Sequence, residues 1–431
     1  MHTNKVNFSA KRLPLTIVLA FAMIFGSFTT AFSNDRDLQY YTAPDKTGIN
    51  QFEPDKDTDV EYDGFKFRIG ASNTMQFQGL TQGGNDQLDT LGLASNFNLP
   101  TANLDFDAQI YDGVRMHLRS WVASPGQGPS FHIKGGYIQI DKMEFISEGF
   151  MEDLMDNMRI RIGHMDFNYG DAMFRRSDNA QAMHNPFVEN YIMDAYTNEI
   201  GGEVYYFHNP FFIMGGVTNS RMNQSTVAID DDEPQDEPTI IGKIGYDQQH
   251  NDDFRTRLTG SFLNVNETQS VYLYNGDRAG GRYYNVLGGG ARAARFNPDF
   301  SAGEMTAFQI NPFVKYRGFE FFGVFENASG KQIEEDDTRS FTQLGAELLY
   351  RFGQDERFYL GGRYNNVSGE LADESEIEID RINVGGGFFL SNNMLLKAEY
   401  VMQNHDGFPE GTARTGDAEF NGVMLEAVVS F

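Results

Sequence analysis

From Phe65 to the carboxy terminus, apolar and polar residues alternate with period two in short runs. The clearest pair is 103–110 and 114–122, separated by the turn Tyr111-Asp112-Gly113. Leu104, Phe106, Ala108 and Ile110 alternate with Asn103, Asp105, Asp107 and Gln109. Beyond the turn, Val114, Met116, Leu118 and Val122 alternate with Arg115, His117, Arg119 and Trp121. This pattern predicts an antiparallel hairpin with one apolar and one polar face. In a soluble sheet the apolar face needs a covering layer, yet only 150–157 reads as a helix. Lipid is the cover that remains, so the expected fold is all-β, a transmembrane antiparallel up-and-down β-barrel.

The same alternation places strands near 65–80, 101–110, 114–123, 131–141, 159–168, 197–207, 211–220 and 239–248. It continues at 254–265, 305–316, 319–329, 340–352, 357–368, 376–390, 394–405 and 418–431. That makes about sixteen strands, with fourteen or eighteen if a pair is split or merged. Tight connections at 111–113, 208–210, 317–318, 353–356 and 391–393 alternate with long ones near 81–100, 168–196, 221–238, 266–304 and 406–417. Short periplasmic turns and long extracellular loops are the pattern of outer-membrane barrels. The 142–158 connection is longer than its class predicts. The final strand carries Val423, Leu425, Ala427 and Val429 on one face and ends at Phe431, which resembles the signal by which such barrels are recognised for insertion.

At the other end, Lys5, Lys11 and Arg12 precede an apolar run at 13–25, followed by Gly26, Ser27, Ala31 and Ser33. We read 1–33 as a secretory signal peptide; its apolar core falls short of the roughly 20 residues of a spanning helix. Residues 34–63 are polar and acidic, with the run Asp55-Lys56-Asp57-Thr58-Asp59. They read as a periplasmic extension, either a disordered tail or an arm tucked into the mouth of a barrel spanning 64–431. The formal charge of −27 excludes nucleic acid as a partner. The absence of Cys excludes a disulfide framework and a lipidated amino-terminal Cys. A mean hydropathy of −0.45 beside 38 Phe, 20 Tyr and 45 Gly fits a barrel that hides only every second residue in lipid.

Sixteen strands enclose an aqueous channel, whereas eight fill with side chains. The third long connection, 168–196, is rich in aromatic residues and Met, and carries Arg175 and Arg176; it is expected to fold inward as a constriction. This stretch, with Arg159-Ile160-Arg161-Ile162-Gly163-His164-Met165-Asp166-Phe167 before it, resembles Bacteroidota outer-membrane porins related to the phosphate-selective porin O/P superfamily. The resemblance implies passive diffusion of small hydrophilic solutes or ions, outer-membrane lipid as surroundings and a homotrimer. The arginine ladder of that superfamily does not align residue by residue, and the acidic run Asp230-Asp231-Asp232-Glu233 speaks against phosphate.

If apolar residues face lipid, their alternates face the bore. Pore-lining candidates are Lys66, Arg68, Arg115, Arg119, Arg159, Arg161, Arg255, Arg257, Lys315, Arg351 and Arg357. A ring of such cations favours anions; against this, Asp105 and Asp107 lie across the hairpin from Arg119 and His117 and neutralise them if paired. Residues 275–299, with Arg278, Arg282, Arg292 and Arg295, read as an exposed loop. No cofactor or metal is expected, since the glycines at 280–281 and 288–290 lack a P-loop ending and 230–237 does not match an EF-hand. His117, His132, His164, His184 and His405 lie in different elements and no nucleophile motif occurs, so an enzyme is not expected. A structural or adhesive barrel and a hydrophobic-substrate transporter are the alternatives.

Overall fold

In the computed structural model, residues 38–98, 102–122, 131–177, 181–220, 236–275, 284–288, 294–300, 302–410, 414 and 418–431 are described. The leader expected at 1–33, the acidic run 230–233, and Arg278, Arg282 and Arg292 lie outside them.

Among the described residues, sixteen strands close into one antiparallel barrel. They are β1 (Lys66–Gly83), β3 (Ala102–Tyr111), β4 (Val114–Val122), β5 (Phe131–Ile140), β6 (Met158–Asp166), β7 (Asn198–His208), β8 (Phe211–Thr218) and β9 (Thr239–Asn251). The series continues with β10 (Phe254–Thr268), β11 (Gly303–Tyr316), β12 (Phe319–Gln332), β13 (Arg339–Phe352), β14 (Phe358–Glu370), β15 (Glu376–Ser391), β16 (Met394–Asp406) and β17 (Glu419–Ser430). Each pairs with its neighbours in sequence, and β1 pairs with β17 to close the ring. A further short strand, β2 (Asn96–Asn98), lies along Gln76–Gln78 of β1, above the stretch of β1 that pairs with β3. This strand lies inside the 81–100 loop of the sequence pattern, since three residues are too few for a period of two to register.

The alternation translates directly into two faces. Ile244, Leu258, Leu348, Leu360 and Val384 point outward and are more than half exposed, while their neighbours Lys243, Thr259, Glu347 and Asn383 are buried inside. Strand pairing satisfies the backbone, which is the condition for lying in hydrocarbon. At the tight-turn end, outward aromatics pair across strands: Phe254 with Tyr316, Phe319 with Tyr350, and Phe352 with Phe358. Such a girdle marks the level of the lipid headgroups. No described helix is long and apolar enough to cross a membrane; the strands cross.

Candidate functional site

The chemistry of this chain lies on the inner face of the barrel, and three segments of the chain itself occupy that space. The first is the connection between β6 and β7. Asp171 accepts from Arg257 Nε at 2.8 Å and sits 2.7 Å from Lys243 Nζ. Arg175 reaches Glu320 at 2.8 Å and Glu347 at 3.0 Å, and Arg176 is stapled to Asp194 within the loop at 2.7 Å.

The loop backbone has no sheet to join, so wall side chains satisfy it. Asn365 accepts from the Ile192 amide and Gln343 from that of Met193. Arg363 donates to the Glu189 carbonyl, Arg381 to that of Asn190, and Lys397 to those of Ala182 and Phe187. Glu189 is 1 % exposed, and neither oxygen of its carboxylate has a hydrogen-bond donor. Burial, then the carboxylates of Glu426 and Glu399, push its pKa well above the ordinary value.

The second segment is the amino-terminal arm, whose described part runs from Leu38 to the start of β1. Gln39 bonds to Gln109 and to the Gly113 turn, the Lys46 amide donates to Asn392, and Lys56 donates to the carbonyls of Asp141 and Met158. These partners lie at the tight-turn end of the strands, so the arm enters there. Deeper in the bore, Asn50 bridges Glu320 and Arg175. Phe52 packs edge-on against Phe174 and Phe313. Glu53 is held by Arg257 at 2.6 Å and Lys243 at 3.1 Å. The extension is thus neither free nor peripheral over these residues.

The cations singled out from sequence fall into two groups. Arg68, Arg115, Arg119, Arg159, Arg161, Arg255, Arg257 and Arg351 lie inside the barrel against carboxylates. Register sets Asp105 opposite Arg119 and Asp107 opposite His117, and the side chains bond at 2.9 and 2.7 Å. Arg68 and Arg115 also lie against Asp107, Arg159 bonds Asp141, Arg161 bonds Glu203, Arg255 bonds Asp247, and Arg351 bonds Glu320. Lys66, Lys315 and Arg357 stand at the turn-side rim. There Lys66 pairs with Asp63, Lys315 with Glu356, and Arg357 donates to the Leu390 carbonyl.

Sequence reasoning passed over Lys243, Arg363, Arg381 and Lys397, all buried on the same inner face. The period-two alternation of β9, β14, β15 and β16 carried the signal for them. It also read 275–299 as exposed. In the structure Tyr284, Val286, Leu287, Arg295 and Phe296 are buried, Arg381 donates to the Ala294 carbonyl, and Asn383 donates to the Tyr284 hydroxyl. The described parts of this loop, too, fold into the bore.

The arm and loops leave a cavity of about 140 Å³ against β4, β5, β6 and β7, where the sequence led us to expect a wide aqueous bore. Its wall presents Arg115, Arg119, Lys134, Arg159 and Arg161, against two carboxylates, Glu53 and Asp166. Asp105, Asp107, Asp141 and Glu203, which partner those arginines, do not line it. The Nε atoms of Arg115 and Arg161 have no hydrogen-bond acceptor. Both guanidiniums flank the Tyr137 ring, at 5.7 and 4.3 Å from its centre. Each of these arginines is nonetheless paired with a carboxylate behind the wall, so the wall offers guanidinium donors without a net positive charge.

No family model matches the chain, and no curated protein matches it. Solved structures do match in fold. OmpT, an outer membrane protein of Vibrio cholerae, superimposes with a TM-score of 0.52 at 8% identity over 86% of this chain and 99% of its own. An anion-selective porin from Comamonas acidovorans gives 0.52 at 10% identity, over 85% of this chain and 100% of its own. The outer membrane channel DcaP of Acinetobacter baumannii gives 0.52 at 11% identity, over 85% and 98%.

Proposed function

We propose that this chain is an outer-membrane porin, a non-enzymatic channel for passive diffusion of small hydrophilic solutes with a preference for anions. The observation that carries the reading is the wall of that cavity. Its wall exposes arginines while the carboxylates that pair with them lie outside it. Those guanidinium groups meet an entering anion ahead of the carboxylates behind them, and most of the chain's −27 is screened beyond a Debye length of ~8 Å. The bore is filled by segments that are not part of the wall, held by apolar clusters as well as by polar bonds, and a conduit opens when those segments shift. The polar lining argues against hydrophobic cargo. The protein is taken to be exported to the outer membrane by its leader and to assemble there as a homotrimer, as the family resemblance implies.

A second reading, a structural barrel without significant transport, is favoured by how completely the arm and loops fill the lumen. Single-channel recording across a salt gradient separates the two. A porin gives discrete conductance steps with a reversal potential on the anion side. An assembled barrel that stays silent at all voltages is structural, and a cation-side reversal refutes the anion preference.

A further inference from the structure

Lys243 of β9 and Arg257 of β10 project into the bore from adjacent strands, and both are buried. Two carboxylates from two different plugs meet them. Asp171 comes from the 168–196 loop, and Glu53 comes from the amino-terminal arm. Asp247 bonds both Arg255, at 2.6 Å, and Arg257, at 2.9 Å. In this cluster three cations, Lys243, Arg255 and Arg257, therefore meet three anions, Asp171, Asp247 and Glu53, and the count closes only because Glu53 is present.

Both oxygens of Glu53 are read. Oε2 accepts from Arg257 Nη2 at 2.6 Å, while Oε1 accepts from Asn168 Nδ2 at 2.7 Å and lies 3.1 Å from Lys243 Nζ. The ring of Phe52 lies 4.3 Å from the Arg257 guanidinium and closes that side. Were the arm to withdraw, taking Phe52 with it, one positive charge would stand uncompensated inside the barrel at a site that presents three nitrogen donors to a carboxylate. Such a charge is strongly unfavourable until an anion replaces the lost one.

We propose that Arg257, Lys243 and Asn168 form a binding station for small carboxylate solutes, and that Glu53 is the chain's own occupant of it. The arm then plugs the bore as a tethered carboxylate, which a free one displaces. Burial acts to raise the pKa of Glu53, but Arg257 and Lys243 outweigh it and hold the value below the ordinary one, so the tether is charged at neutral pH. The inference rests on the pore reading and names the solute class of that pore.

The test is single-channel recording of the full chain and of Glu53→Gln in KCl, with succinate, and separately sulfate, titrated in. Glu53→Gln keeps the shape of the side chain but removes its charge. The time-averaged conductance should rise severalfold. Half-block by succinate should come at a concentration about tenfold or more lower than in the natural chain, because a tethered competitor acts at millimolar or higher effective concentration. Adding Arg257→Gln to Glu53→Gln should abolish that block; Lys243→Gln on the same background serves if the first double variant does not assemble. Succinate block that is equal in the natural chain and Glu53→Gln, or indifferent to the loss of Arg257 and Lys243, overturns the station while leaving the pore intact. Sulfate that blocks as tightly as succinate overturns the carboxylate assignment. Assembled barrels that never conduct in either form overturn the pore reading, and the station with it.

Discussion

Glu189 and His184 sit in the same loop and respond to protons in opposite senses. The ordinary value for Glu189 is 4.5, and in the docked loop it lies well above that, first because of burial and then because of Glu426 and Glu399. Lys397 and Arg381 are close, but they spend their donors on loop carbonyls and on Glu426 or Gln403. Arg363 likewise takes the Glu189 carbonyl and Glu347. A raised pKa means that docking binds a proton, so Glu189 favours the docked loop fully below pH 4.5 and progressively less as pH rises. His184 is buried, which lowers its pKa from 6.5 to about 4. It favours docking above pH 6.5 and opposes it as pH falls toward 4. Open probability measured from pH 4 to 9 should therefore rise at both ends in the natural chain. Glu189→Gln should keep the acid rise and lose the alkaline one; an unchanged alkaline limb would remove Glu189 from the device.

At the scale of elements, the barrel and its filling differ in how far the sequence reveals them. All sixteen barrel strands were legible, and most ends agree within two or three residues, as for β3 and β16. Lipid on one side and polar side chains on the other force a strict period two, and no distant residue is needed to see it. The filling obeys no period. Residues 38–63 have the composition of a tail, and what seats them is long-range pairing: Glu53 finds Arg257, 204 residues further on. The same holds for the loop, where Asn365 and Gln343 meet backbone groups 173 and 150 residues away. Aromatic content betrayed the 168–196 loop, but the many glycines of 275–299 concealed its buried Tyr284 and Phe296.

These neutral anchors give a usable perturbation, because replacing them orphans loop amides, while Gln343→Leu also removes a donor from the buried Glu326 carboxylate. Asn365→Leu with Gln343→Leu should weaken docking by roughly 1–3 kcal/mol per orphaned group. The strands should remain assembled, as judged by heat-modifiable migration. Open-channel noise and mean conductance should rise; a quiet trace of normal amplitude would mean that this part of the loop lies outside the conduction path.

For the whole molecule, the two ends of the barrel are chemically distinct, and orientation follows from that difference. One end carries the tight turns, the aromatic girdle and the entry of the arm, as the bonds from Gln39 and Lys46 to turn residues require. The other carries the long connections, of which the described parts of 168–196 and 275–299 turn back into the bore. A chain that enters the barrel from its amino terminus must present that end to the compartment from which it inserts, so the turns should face the periplasm and the loops the exterior. The natural chain contains no Cys, and this makes the orientation directly testable, because a single introduced thiol is the only one available to a label. Asp337, exposed between β12 and β13, marks the loop end, and Gln354, exposed between β13 and β14, marks the turn end. A bulky membrane-impermeant maleimide applied to intact cells should modify Asp337→Cys and spare Gln354→Cys until the outer membrane is permeabilised. Equal labelling of both would mean that the reagent crosses freely and the comparison must be repeated with a larger probe. Labelling of Gln354→Cys alone would invert the barrel, and with it the proposal that the arm plugs the periplasmic mouth.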